Sequence, residues 1–243
     1  MPRKGFRMKT YLVTGGSSGI GKAIALKLAS ENQVIIIGLD EDRLHEVAGQ
    51  QKQIIPLKFD LYNLKDIRNI FELIDGMGYK LDGLIHSAGV AMSVPIGAND
   101  IEQMKQVMTV NCMAFAELMK YFSKKKYSNN GSSVVAISSL AAYVCTKGTG
   151  IYAASKSALN NLVKVSAKEL TKRHIRVNAV MPAFVQTSMI SEKDDQLDEL
   201  IRKEQPWGVI EPEQVAELVT FLLSDNSQMI TGATIPITGG RVV

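Results

Sequence analysis

The chain predicts a doubly wound α/β fold, a mainly parallel seven-stranded sheet with helices on both faces. Three observations carry this. Seven short apolar, β-branched runs recur along 243 residues. Helix-like stretches separate them. The runs are continuously apolar rather than alternating, as strands buried on both faces are. Strand, helix and strand in repeated alternation wind into a parallel sheet.

The elements follow in order. "TYLVTG" (10–15) is the first strand, and a glycine-rich turn leads from it to a helix over 20–31 whose apolar face is Ile20, Ile24, Leu28 and Ala29. "QVIIIGL" (33–39) is the second strand, before a helix at 41–50. "IIPLKFD" (54–60) is the third, and Asn63 opens a helix to 76. "LDGLIHSAG" (81–89) and "SSVVAISS" (132–139) flank a long helical pattern over 100–126. A helix over 151–173 precedes "IRVNAVMP" (175–182). Glu211 and Pro212 start a helix to 224, since proline suits a first helical turn, and "ATIPIT" (233–238) is the last strand.

No internal repeat or linker divides the chain, so residues 1–243 are expected to form one domain. The main interruption is 187–211, polar and charged with the lone Trp207; it falls where doubly wound sheets bind ligands. It reads either as a short lid over a pocket or as a surface helical excursion.

Composition narrows the function. Net charge is +4 on 28 basic and 24 acidic residues, so charge alone implies neither a nucleic acid nor a membrane partner. Two cysteines, Cys112 and Cys145, are too few and too unpatterned for a disulfide framework or a zinc site. No metal site is expected. "YLVTGG" breaks at glycine before any signal-type apolar stretch, and no run approaches a bilayer span. A cytoplasmic protein is expected.

"VTGGSSGIG" sets Gly15, Gly19 and Gly21 between the first strand and its helix. Glycines there allow a tight turn and close approach to a pyrophosphate, which the helix N-terminus then faces with free N–H groups and a positive dipole end. The spacing G-x-x-x-G-x-G resembles that of the short-chain dehydrogenase/reductase family, a Rossmann-type fold, and further matches cover nearly the whole chain. The loop residues Gly15, Ser17, Ser18, Gly19, Ile20 and Gly21 then correspond to the cofactor cradle. The resemblance makes Asp60 in "FDL", with Leu61 after it, an adenine contact. Ala88 and Gly89 of "HSAG" match the end of the family's N-N-A-G, while His86 and Ser87 replace both asparagines.

Asn111 in "TVNCMAF" matches the family's helix asparagine that supports a water near the active-site lysine. Ser139 lies 13 residues before Tyr152, the family's serine-to-tyrosine spacing, and Tyr152 with Lys156 match its Y-x-x-x-K. "MPAFVQTSM" resembles P-G-x-x-x-T through Pro182 and Thr187, with Ala183 in place of glycine; Thr238 stands where aspartate is frequent. By itself a Y-x-x-x-K is ordinarily a half-buried tyrosine beside a surface lysine. Four positions in register make coincidence a poor account of this one.

The implied activity is interconversion of a secondary alcohol and a ketone or aldehyde with a nicotinamide cofactor. Hydride transfer leaves negative charge on oxygen, and Tyr152 would supply the proton. A neighbouring ammonium, Lys156, would favour the phenolate and lower the phenol's pKa, and by resemblance would bind the ribose hydroxyls, as Tyr152 also contacts the cofactor. Ser139 would orient the substrate oxygen. NAD is expected over NADP: Asp40 and Glu41 follow the second strand, Leu39 holds the deciding position, and a 2′-phosphate would meet repulsion. Met92, Val94, Pro95, Ile96, Val144, Cys145, Met189, Ile190 and Trp207 suggest a mainly apolar substrate pocket. Family likeness implies a homodimer or homotetramer. The alternative is a dinucleotide-sensing or scaffold protein with altered chemistry, for which "HSAG" is the only hint. A sugar-nucleotide epimerase would need a larger C-terminal domain than the 56 residues after Thr187.

Overall fold

In the structure, a computed structural model, residues 7–187, 199, 201 and 203–241 are described. Seven strands form one sheet in the order β3-β2-β1-β4-β5-β6-β7, and every ladder is parallel. They are β1 (Thr10–Thr14), β2 (Gln33–Gly38), β3 (Ile54–Lys58), β4 (Leu81–His86), β5 (Ser128–Ile137), β6 (Arg176–Pro182) and β7 (Thr234–Ile237). The helices are α1 (Gly19–Ala29), α2 (Glu41–Ala48), α3 (Ile67–Gly76), α4 (Ile101–Met108), α5 (Ala114–Phe122), α6 (Gly150–Glu169) and α7 (Pro212–Leu223). The seven-stranded doubly wound fold expected from the apolar runs is the fold observed.

The central strands are buried on both faces, which is why they lack alternation. Leu12, Ile35, Leu84 and Val134 join the core under α3, α5 and α6, with Phe71, Phe115 and Phe122. Val13, Ile36, Ile85 and Val135 turn the other way, onto Ile24 and Leu28 of α1 and Val215 and Val219 of α7. Successive residues of one strand thus feed two cores.

Two boundaries differ from the sequence expectation. β5 begins at Ser128, because "SNNG" continues the strand despite its polarity. The single helix expected over 100–126 is interrupted by a π-turn, Thr109–Met113, where the Ala114 N–H reaches back five residues to the Thr109 carbonyl. Such widened turns collect at functional sites, and Asn111 sits in this one. Chain order reverses between β1 and β4, so a crevice opens beyond their carboxyl ends, as at the ligand-binding edge of other doubly wound sheets.

Candidate active site

The turn after β1 is tied to β2: the Gly15 and Gly16 N–H groups donate to the Ile37 carbonyl at 2.8 and 3.2 Å. Gly15 has φ +67°, and a Cβ there would stand 2.8 Å from the Ala88 nitrogen, so the loop rests directly on the segment after β4. Ser18 caps α1 in extended conformation, and Thr187 stands against Gly19 across the crevice. The first N–H groups of α1 have no acceptor within the helix.

His86, which replaces an asparagine, is fully buried. The Thr14 hydroxyl oxygen accepts the Ser87 and Ala88 N–H groups at 3.1 and 3.0 Å and lies 3.1 Å from His86 Nδ1. With both lone pairs taken, that hydroxyl has only its hydrogen left, so it donates to Nδ1 and the network assigns the proton to Nε2. Among the described residues Nε2 has no partner of normal geometry. It faces the main-chain carbonyls of Asn111 and Val110, which only partly oppose the effects of burial and of Lys156, so the imidazole pKa is pushed down to about 3. His86 is a neutral wedge between β1, β4 and the π-turn, and the threonine that orients it was no candidate from sequence.

Asn111 is fully buried and grips Val90 at both ends: Oδ1 accepts the Val90 N–H at 2.8 Å and Nδ2 donates to its carbonyl at 3.0 Å. Nδ2 also donates to Ser155 Oγ at 3.0 Å, and Ser155 in turn donates to the Tyr152 carbonyl at 2.7 Å. The asparagine side chain therefore fixes the loop after β4 and the first turn of α6 relative to one another.

Tyr152 and Lys156 share a face of α6, with Lys156 Nζ 5.8 Å from the phenol ring centroid. Lys156 is 4% exposed and donates to the Ile137 carbonyl at 2.9 Å, at the end of β5. Burial pulls the ammonium down to about 8, against a small opposing effect of Cys112. Burial pushes the phenol up, and hydrogen bonding with Ser139 offsets part of that. The lowering of Tyr152 by Lys156 expected from their spacing is thus not observed: the ammonium is held by Ile137, and desolvation of the phenol dominates. Ser139 Oγ also accepts the Ala141 N–H at 3.1 Å, which fixes the side chain at the head of a short turn.

A cavity of about 490 Å³ brings together Gly15, Ser18, Gly19, Ile20, Gly21, Ala88, Gly89, Ser139, Tyr152, Lys156, Pro182 and Thr187. Asn111 lies behind its wall. A Cβ on Gly89 would sit 3.2 Å from Asn111 Oδ1 and 3.4 Å from Lys156 Nζ, so the backbone there leaves room beside the lysine. Ser17 faces an adjoining recess of about 480 Å³, which shares Ser18, Gly19 and Thr187 with the cavity and adds Lys22, Arg43 and Glu46. Asp40, Asp60 and Leu61 line neither space. The Asp40 carboxylate caps α2 by accepting the Arg43 N–H at 3.1 Å, Asp60 accepts the Tyr62 N–H at 2.9 Å, and Leu61 is buried in the core. Ala183 has no positive φ, so the family glycine is not required there. Of the expected apolar lining, Met92 and Val144 reach the cavity; Val94, Pro95, Ile96, Cys145 and Trp207 do not. Most of the expected lid, with Met189 and Ile190, lies outside the described residues. Phe184, Lys147 and Arg241 were not expected and line the wall.

A glycine cradle, a buried lysine and a half-buried phenol around one crevice suit hydride transfer at a carbonyl. A family model described as enoyl-(acyl carrier protein) reductase matches residues 15–241. The 3-oxoacyl-(acyl-carrier-protein) reductase FabG of Thermotoga maritima is 32% identical over 97% of this chain and 98% of its own. A short-chain type dehydrogenase/reductase from Mycobacterium ulcerans superposes with a TM-score of 0.88 at 29% identity, covering 97% of this chain and 90% of the other. A 4-hydroxyisoleucine dehydrogenase complexed with NADH does so at 0.89 and 27%, covering 96% and 98%. Likeness along nearly the whole chain, in sequence and in backbone, makes this protein an oxidoreductase of the short-chain dehydrogenase/reductase family.

Proposed function

We propose that the protein reduces a ketone or aldehyde to a secondary alcohol with a nicotinamide dinucleotide, Tyr152 giving the proton. The carrying observation is the joint placement of Ser139, Tyr152 and Lys156 in the cavity that the glycine loop closes. Gly15 and Gly89 keep Cβ atoms out of that space, which fits the backbone approach a dinucleotide needs. When bound, the cofactor supplies the hydride. Asn111 holds the Val90 loop and α6 in register, and Lys156 presents a cation beside the phenol. Ser139 orients the substrate oxygen, and Tyr152, whose raised pKa keeps it protonated at neutral pH, donates to the oxygen as charge develops.

Lys156 sets the pH dependence. Its ammonium is the positive charge beside the reacting oxygen, and raising pH through about 8 removes that charge. The expected kcat/KM for reduction is level at neutral pH and falls with an apparent pKa near 8; a profile flat well beyond that value would exclude this role.

NAD over NADP is the reading that the charges favour. Both cations at the outer recess are paired, Arg43 with Asp40 at 3.1 Å and Lys22 with Glu46 at 3.5 Å, so an added phosphate would compete with carboxylates already engaged. Titration of the protein with NADH and NADPH is expected to give tighter NADH binding by about tenfold; tighter NADPH binding would reverse this preference, and failure of both to bind would end the reductase reading. The sensor alternative rests on "HSAG", and there His86 is a neutral wedge held at Nδ1 by Thr14, outside the cavity that holds Ser139, Tyr152 and Lys156.

The remaining expectations belong to the same reading: one domain over 1–243 with a lid around 187–211, in the cytoplasm, acting on a small-molecule carbonyl or alcohol. Exposed Ile101, Met113 and Val165, on α4, the π-turn and α6, would supply apolar contacts for a homodimer or homotetramer.

A further inference from the structure

Three cations, Lys147, Lys156 and Arg241, line the catalytic cavity, and among the described residues no aspartate or glutamate does. Lys156 is committed to the Ile137 carbonyl and the phenol. Lys147 is exposed at the mouth. Arg241 is different: its side chain is only 15% exposed, and its guanidinium lies over the Phe184 ring, 5.6 Å from the centroid. One nitrogen, Nη2, pairs with the Glu204 carboxylate at 3.2 Å. A largely buried guanidinium set over a ring has its fork of five donors constrained, and among the described residues one carboxylate does not exhaust them.

A wholly neutral substrate would leave Arg241 on the cavity wall with Glu204 as its carboxylate partner among the described residues. Met92, Leu140, Val144 and Phe184 supply an apolar surface beside it. Resting on the reductase reading above, we propose that the substrate is an oxo acid, whose carboxylate is held by Arg241, with Lys147 at the mouth, while its ketone faces Ser139 and Tyr152. A carboxylate is favoured because the planar guanidinium fork can take it bidentately through the donors that Glu204 does not engage. The ketone carbon accepts hydride and its oxygen accepts the Tyr152 proton; NADH and a proton are consumed, NAD⁺ and the hydroxy acid are formed, and the carboxylate is unchanged.

The test is a matched panel with NADH: short 2- and 3-oxo acids, their methyl esters, and neutral thioesters of the same acids, with the wild type, Arg241→Gln and Arg241→Lys. The wild type should favour the acids in kcat/KM by about 10- to 100-fold, the range for hydrogen bonds to a charged group. That ratio should collapse toward one in Arg241→Gln and recover in part in Arg241→Lys. Equal or better use of the esters or thioesters by the wild type overturns the proposal, as does a ratio unchanged in Arg241→Gln. The wild-type ratio stands even if a variant folds poorly. Failure of the underlying reductase reading has another signature: no ketone of either charge is reduced.

Discussion

Replacing Tyr152 by Phe should lower kcat for carbonyl reduction by about 10²–10⁴-fold, the usual span for loss of a positioned general acid. The substitution removes one hydroxyl and keeps the ring that Lys156 approaches at 5.8 Å. The phenol shares the cavity with Ser139 and Lys156, so no buried partner is stranded when it goes. Stability should therefore stay within about 1 kcal/mol of wild type, and NADH affinity should hold. Single-turnover rates, dissociation constants and thermal midpoints together separate these outcomes. A Phe variant that turns over at the wild-type rate would move the proton's source to water or Ser139. Direction matters as well: burial raises the phenol's pKa, so the isolated chain is better prepared to give a proton than to take one. Alcohol oxidation should then call for higher pH than ketone reduction does.

The fold was legible because its signal is local and repeated: buried strands announce themselves as apolar runs separated by helix-like stretches. Much of the site was legible through spacing, since Ser139 reaches the cavity from the turn after β5, and Tyr152 and Lys156 reach it from α6. Other features depend on partners far apart in sequence. Thr14 and His86 are 72 residues apart, and only the β1–β4 register brings them to 3.1 Å. Arg241 reaches Phe184 from beyond the last strand. The acidic residues after β2 were read for charge, but Asp40 is spent on capping α2 and pairing with Arg43, which a count of charges does not reveal. The π-turn was invisible because its residues suit an ordinary helix; the widening shows only in the hydrogen-bond register.

Gly21→Ala should weaken dinucleotide binding, although helix propensity argues the opposite way. Gly21 lies in the first turn of α1 with no positive φ, and alanine in a helix is favoured over glycine by about 1 kcal/mol. A Cβ there would overlap the Gly15 carbonyl oxygen, stand 2.7 Å from the Gly15 carbonyl carbon and lie 3.3 Å from the Gly16 Cα. These are backbone atoms, anchored to Ile37 by two hydrogen bonds, so neither side yields cheaply. Overpacking of this kind costs about 1–3 kcal/mol, enough to cancel the propensity gain and drive α1 away from the loop. The displaced groups are the N–H donors that a pyrophosphate would need, so the NADH dissociation constant should rise by at least about tenfold, with a lower thermal midpoint. Gly76→Ala is the control. It makes the same chemical change at the end of α3, where a Cβ would meet nothing within 4 Å. There the propensity term acts alone, and the variant should be slightly more stable with NADH binding unchanged. If both variants bound NADH like wild type, the contact between α1 and the glycine loop would not be what shapes the cofactor site.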